Sequence, residues 1–144
     1  MTKIIIYQAN LDEVGEEELQ ALLDELECDE VEFVAFSDDE AECSEILDDC
    51  DAIIIILAPG MGDDAVLATV LRIASTKNCR VVSVWPRGST GFDLPEPIEN
   101  YGTDVLPWDG AKINGAACGD ADPSFENPDG EPREEPETER NLCP

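Results

Sequence analysis

Few residues in this chain have the type and spacing that chemistry needs. The turn Pro59-Gly60-Met61-Gly62-Asp63-Asp64 joins a β-rich run to a helical pattern. At the carboxyl edge of a doubly wound sheet, such turns can offer backbone N–H groups to a phosphate. Here two aspartates occupy the positive end of the helix that follows, and they repel an anion. The full dinucleotide spacing is missing, and no Lys-Ser/Thr pair follows as in a P-loop. The turn therefore reads first as a capped turn. Any ligand it contacts is expected to be a neutral sugar or base rather than a triphosphate. Tyr7, Gln8 and Asn10, at the end of the first apolar run, join Gly60 and Gly62 as candidate contacts for such a nucleoside-like molecule. If the chain is catalytic, Asp63 and Asp64 are the carboxylates available there.

The chain has six cysteines, Cys28, Cys43, Cys50, Cys79, Cys118 and Cys143, and no histidine. No C-x-x-C pair occurs, so the pattern implies no metal site, and nothing points to a cofactor. The usual near-neutral acid–base group is absent as well. Cys28, Cys43, Cys50 and Cys79 fall at the edges of elements, where free thiols are common. Cys118 and Cys143 bracket an acidic tail, which leaves open a tail-closing disulfide, a reactive terminal thiol or two free thiols.

The elements that must position these groups follow from periodicity. Residues 3–8, 31–36, 52–57, 80–85 and 103–106 read as strands, and 53–56 are four consecutive isoleucines. Such a run is expected in a strand covered on both faces. Residues 16–27 place Leu19, Leu22, Leu23 and Leu26 at helical spacing with acids opposite. Helices are also expected over 38–50, with Ser37 as its cap and Glu40 three residues on, and from Asp63 or Asp64 to about residue 77. An irregular link joins the last two strands. Alternation of strands and helices predicts a small flavodoxin-like (Rossmann-like) three-layer α/β sandwich with a parallel sheet of about five strands. Residues 1–117 are expected to form this domain. Residues 118–144, rich in Pro, Gly and Glu, form an acidic irregular tail expected to be disordered on its own. Phe125 and Leu142 are the residues able to pin it to the domain or a partner.

Charge is the strongest compositional signal. The 144 residues contain 35 acids and 8 bases, for a net charge of -27. Residues 11–51 hold 19 of the acids and neither Lys nor Arg, whereas 52–119 hold seven acids and five bases. Nucleic-acid phosphate and anionic membrane are expected to be repelled. No window approaches the roughly 20 apolar residues of a membrane span, and no basic leader precedes the first strand, so a cytoplasmic protein is expected. An acidic surface can instead capture a basic protein. The residues expected to do so are Glu16, Glu17, Asp24 and Glu27, then Asp38, Asp39 and Glu42. Trp85 and Trp108, each at a strand end, are expected in packing, with a cleft or interface role as the alternative.

The segment Cys50-Asp51-Ala52-Ile53-Ile54-Ile55-Ile56-Leu57, the Gly60–Asp64 turn and Arg80-Val81-Val82-Ser83-Val84-Trp85-Pro86 resemble the TIR-like and nucleoside 2-deoxyribosyltransferase-like group of flavodoxin-like domains. The link from Leu94 to Tyr101, leading into Val105, is similar to the late segment of TIR-like proteins. The resemblance spans about residues 3–110. It implies cleavage of N-glycosidic bonds of nucleosides or NAD, using a glutamate on the helix after the third strand. In this chain Thr69 or Val70 stands where that glutamate is expected. Glycosyl transfer needs a carboxylate in the pocket. The leading expectation is thus a non-enzymatic acidic protein that neutralises or regulates a basic partner, as an immunity protein, an antitoxin or a defence-complex subunit does. The alternatives are a nucleoside or NAD glycosidase or transferase, a DNA mimic, and a salt-adapted protein whose acidity serves no partner.

Overall fold

A computed structural model describes residues 3–7, 16–27, 30–34, 36–37, 39–48, 50–57, 65–86, 94, 96–119 and 124–126. Five strands, β1 (Lys3–Tyr7), β2 (Glu30–Val34), β3 (Ala52–Ile56), β4 (Arg80–Val84) and β5 (Asp104–Leu106), form one sheet in the order β2-β1-β3-β4-β5. Every pairing is parallel. This is the flavodoxin-like order, with β3 at the centre as the isoleucine run predicts. All five β3 residues are buried, because alternate side chains enter two different cores. Ile53 and Ile55 face the helices α2 (Glu40–Leu47), α3 (Ala65–Thr76) and α4 (Glu96–Tyr101). Ala52 and Ile54 face α1 (Glu16–Glu25) and α5 (Gly110–Ala117). Each fully buried isoleucine contributes roughly 1.5–3 kcal/mol relative to exposure.

Three local expectations are corrected. The link between β4 and β5 contains a helix, α4, whose Pro97 sits in the first turn, where the missing N–H has no helical partner to lose. A further helix, α5, follows β5, and its cap Asp109 accepts from the N–H groups of Ala111 and Lys112 at 3.0 and 3.3 Å. The cap of α2 is Asp39 rather than Ser37: the Asp39 carboxylate accepts from the N–H groups of Ala41 and Glu42. The Ser37 hydroxyl instead accepts from the Asp39 N–H and donates to Glu42. The expected capping of α3 by Asp63 or Asp64 lies outside the described residues.

Part of the tail joins the sheet. Phe125 is buried and bridges Val105 in parallel, with hydrogen bonds from the Val105 N–H to the Ser124 carbonyl and from the Glu126 N–H to the Val105 carbonyl. The Trp85 indole donates to the Glu126 carbonyl at 2.8 Å. Phe125 thus pins this part of the chain, as its isolated aromatic character in a polar stretch predicts. Leu142 lies outside the described residues.

One buried polar group stands apart. Ser83, in β4, has no exposed surface, and its hydroxyl has no hydrogen-bond partner among the described residues. Burying an unpaired hydroxyl costs about 1–3 kcal/mol. Ser83→Ala is therefore expected to raise stability by roughly 1 kcal/mol, read as a higher urea midpoint with unchanged slope. A lower midpoint would show that the hydroxyl is satisfied.

Candidate functional site

Every described base is already committed. Lys3 pairs with Glu32, Arg72 with Glu40, Lys77 with Asp48, Arg80 with Asp104 and Lys112 with Glu126. The last two belong to one network: Asp104 accepts both Arg80 bonds and the Ser124 N–H, while Glu126 accepts from Lys112 and the Ser124 hydroxyl. Positive charge is thereby spent holding α2 to α3, β1 to β2, β4 to β5, and α5 to the 124–126 segment.

The acids near edge strand β2 are left over. Glu17, Asp24 and Glu27 are exposed on or just after α1, and Glu30 is exposed on β2. None of these four forms an ion pair with a described base. Asp24 accepts from Gln20 one turn earlier, and α1 has no base in its last turn. Its carboxyl end therefore carries Asp24 and Glu25 where the helix dipole is itself negative, a placement that costs about 0.3–1 kcal/mol per charge. Glu25 is partly relieved by α5, because its side chain crosses the first residue of that helix. A Cβ on Gly110 would collide with the Glu25 side chain as it lies here, so a larger residue would push that carboxylate aside. The Glu27 N–H donates to Asn114 of α5 at 2.7 Å, which fixes the chain leaving α1.

The structure divides the predicted acidic residues into two groups. Glu17, Asp24 and Glu27 belong with α1, against one face of the sheet, whereas Asp39 and Glu42 belong with α2, against the other. Both helices flank the β2 side of the sheet, so the groups meet around an edge rather than on a single helix face. Glu16 opens α1, and Asp38 lies outside the described residues. Phe33 of β2 is exposed at this edge, at 38%.

The aromatic candidates sit elsewhere. Trp85 has no exposed surface, so it packs in the core and offers no face to a partner. Trp108 is half-buried against the core between the sheet and α1 and α5. Tyr7 is buried and stacks on Phe36, with ring centroids 5.9 Å apart. The other candidates for a small ligand or for catalysis, Gln8, Asn10, Gly60, Gly62, Asp63 and Asp64, lie outside the described residues. Thr69, where the TIR-like resemblance leads one to look for a glutamate, is half-buried on α3. It lines a shallow cavity of about 340 Å³ with Arg72, Asn100 and Tyr101, and the carboxylate among its described walls is the exposed Glu96 of α4.

Sequence reading did not find two features. One is the buried Arg80–Asp104 pair, whose signal was an acid at the start of a three-residue apolar strand. The other is the meeting of Cys50 and Cys79, which stand two residues and one residue before neighbouring parallel strands. Cys43, Cys50 and Cys79 are buried thiols outside any disulfide, whereas Cys118 is disulfide-bonded. Among the described residues no group of three His, Cys, Asp or Glu side chains is placed to hold a metal, and no helix is long and apolar enough to cross a membrane. No protein-family model matches the chain, and no curated protein matches it at significance.

Proposed function

We propose that this protein is a non-enzymatic binding module that captures a basic protein through the acidic end built by α1, β2 and α2, and so neutralises or regulates it. The observation that carries this reading is the distribution of ion pairs. All five described bases are consumed by acids that brace the fold, while Glu17, Asp24, Glu27 and Glu30, around one sheet edge, pair with none of the described bases. Lys and Arg from a partner would relieve both the mutual repulsion and the unfavourable end of the α1 dipole. Long-range attraction would also speed encounter, because the net charge is -27.

The test separates placement of charge from its amount. The full chain, Asp24→Lys/Glu27→Lys and Glu96→Lys/Glu99→Lys are immobilised, and proteins retained from extract of the source cells are identified at low and high salt. The two variants change net charge equally, but the second alters α4, away from the β2 edge. A basic protein held by the unmodified chain and the α4 variant is expected to be lost by the α1 variant. Its affinity should fall on the order of tenfold, which corresponds to about 1.4 kcal/mol. Retention should also weaken with salt as the Debye length contracts to about 3 Å at 1 M. Equal loss in both variants would make the acidity a general solubility property, and undiminished capture by the α1 variant would move the interface elsewhere.

A further inference from the structure

The ends of two helices bring a pair of thiols together at the amino-terminal edge of the sheet. Cys50 follows α2, and its N–H donates to the Leu47 carbonyl at 3.2 Å. Cys79 follows α3 in a Schellman closure. Its N–H donates to the Ala74 carbonyl, the Asn78 N–H donates to the Ser75 carbonyl, and Asn78 takes the left-handed conformation with φ 59°. The backbone of each cysteine is thus tied to the helix it follows. The Cys79 thiol donates to the Cys50 sulfur, with the two sulfurs 3.2 Å apart, while the Cys50 thiol donates to the Ala52 carbonyl. A disulfide bond is about 2.05 Å long, so closing the pair needs a movement of about 1 Å. The residues are not sealed: Cys50 retains 8% of its surface and Cys79 retains 4%. Cys79 also lines an open cavity of about 350 Å³ with Ser75, Asn78, Arg80, Tyr101 and Thr103. That volume admits several water-sized molecules, each occupying about 30 Å³.

We propose that Cys50 and Cys79 form a redox modification site, a dithiol that hydrogen peroxide converts to an intramolecular disulfide. The inference does not depend on the function proposed above. Cys50, as thiolate, attacks one peroxide oxygen. The O–O bond breaks, and the departing hydroxide takes up the proton released by Cys50 and leaves as water. The sulfur of Cys79 then attacks the sulfur of the Cys50 sulfenic acid. The S–O bond breaks, the S–S bond forms, and the second oxygen leaves as water with the Cys79 proton. Two thiols thus lose two electrons and two protons, and one peroxide becomes two waters. The hydrogen bond from Cys79 holds the Cys50 thiol below its ordinary range, against the opposing effect of burial. The same bond, with burial, pushes Cys79 up. Cys50 is also the more exposed of the two sulfur-bearing residues, so it is the attacking sulfur and Cys79, which donates to it, the resolving one.

The full chain, as purified, is exposed to peroxide, its remaining thiols are alkylated in denaturant, and its peptides are weighed without reduction. The expected product joins the Cys50 and Cys79 peptides with the loss of two hydrogens, and dithiothreitol separates them. Cys79→Ser should leave a Cys50 sulfenic acid that dimedone traps, and Cys43→Ser should leave the linked peptide unchanged. Oxidised protein should also melt several degrees above the form with Cys50 and Cys79 free, because the bond restrains the unfolded chain. The linked peptide is read on the unmodified chain, so a variant that fails to fold does not decide the matter. Recovery of both cysteines fully alkylated after peroxide, or a Cys50–Cys43 link, would overturn the proposal.

Discussion

Replacing Arg80 by Met is expected to remove about 3–5 kcal/mol of stability, among the largest single losses available in this fold. Asp104 is fully buried, and its carboxylate receives two guanidinium bonds at 2.6 and 2.9 Å and the Ser124 N–H at 3.1 Å. Methionine keeps the length and apolar stem of arginine but supplies no donor. The carboxylate would then be left in the interior with one backbone N–H, and it could not recover its hydration. A domain of this size is stable by only about 5–15 kcal/mol, so the loss is a large fraction of the total. The double variant Arg80→Met/Asp104→Leu separates the cost of the orphaned charge from the worth of the pair. Removing both charges should restore most of the stability, because a buried ion pair and a well-packed apolar pair are often nearly equivalent. Urea unfolding of Arg80→Met, Asp104→Leu and the double variant completes the cycle and gives the coupling energy. A loss below about 1 kcal/mol in Arg80→Met would mean that water reaches Asp104 and that the pair behaves as a surface contact.

The fold was legible where apolar periodicity was strong. Four consecutive β-branched isoleucines between turn signals point to a strand covered on both sides, and β3 is that strand. The missed helices show where the signal fails. In α5, only Ile113, Ala116 and Ala117 are buried, and two glycines and an asparagine dilute the helical pattern. Its stability comes from the Asp109 cap and from packing on α1 and the sheet, neither of which periodicity reports. At α2, Ser37 and Asp39 both carry capping chemistry. Backbone geometry chose Asp39, whose extended conformation aims the carboxylate at two N–H groups, and left Ser37 outside the turn. The acidic residues are a different case. Their number and the lack of nearby bases are plain in the sequence, but their grouping depends on which strand lies at the edge. The order β2-β1-β3-β4-β5, with β2 at the edge, goes with α1 and α2 packing on opposite faces of the sheet. The thiol pair was hidden for a similar reason. Cys50 and Cys79 meet because β3 and β4 are neighbours in register, Ala52 opposite Arg80.

Trp85→Ala is expected to cost about 3–5 kcal/mol and to release the 124–126 segment from β5. Trp85 has no exposed surface, and its ring belongs to the same core as Ile53, Ile55, Val105 and Phe125. Truncation would leave a cavity beside the strand that Phe125 bridges, so the loss combines transfer with unfilled volume. The indole also holds the segment directly, through its bond to the Glu126 carbonyl at 2.8 Å. Trp85→Phe shifts the balance between the two effects, because it removes the donor while keeping an aromatic ring and much of the buried volume. This variant should lose about 1–3 kcal/mol, the penalty for leaving a buried acceptor unpaired. Hydrogen exchange supplies the local readout. The Glu126 N–H, bonded to the Val105 carbonyl at 2.8 Å, should exchange much faster in Trp85→Phe, while the Ile54 N–H at the centre of the sheet keeps most of its protection. If both amides accelerate equally, the segment is an inseparable part of the cooperative fold. If neither changes, the Lys112–Glu126 pair and the Ser124 bonds to Asp104 and Glu126 suffice to hold it. A selective change at Glu126 would make Trp85 the clasp by which the acidic tail is fastened to β5, the sheet edge opposite β2. The two edges would then have separate tasks, one anchoring the tail and the other free to meet a basic partner.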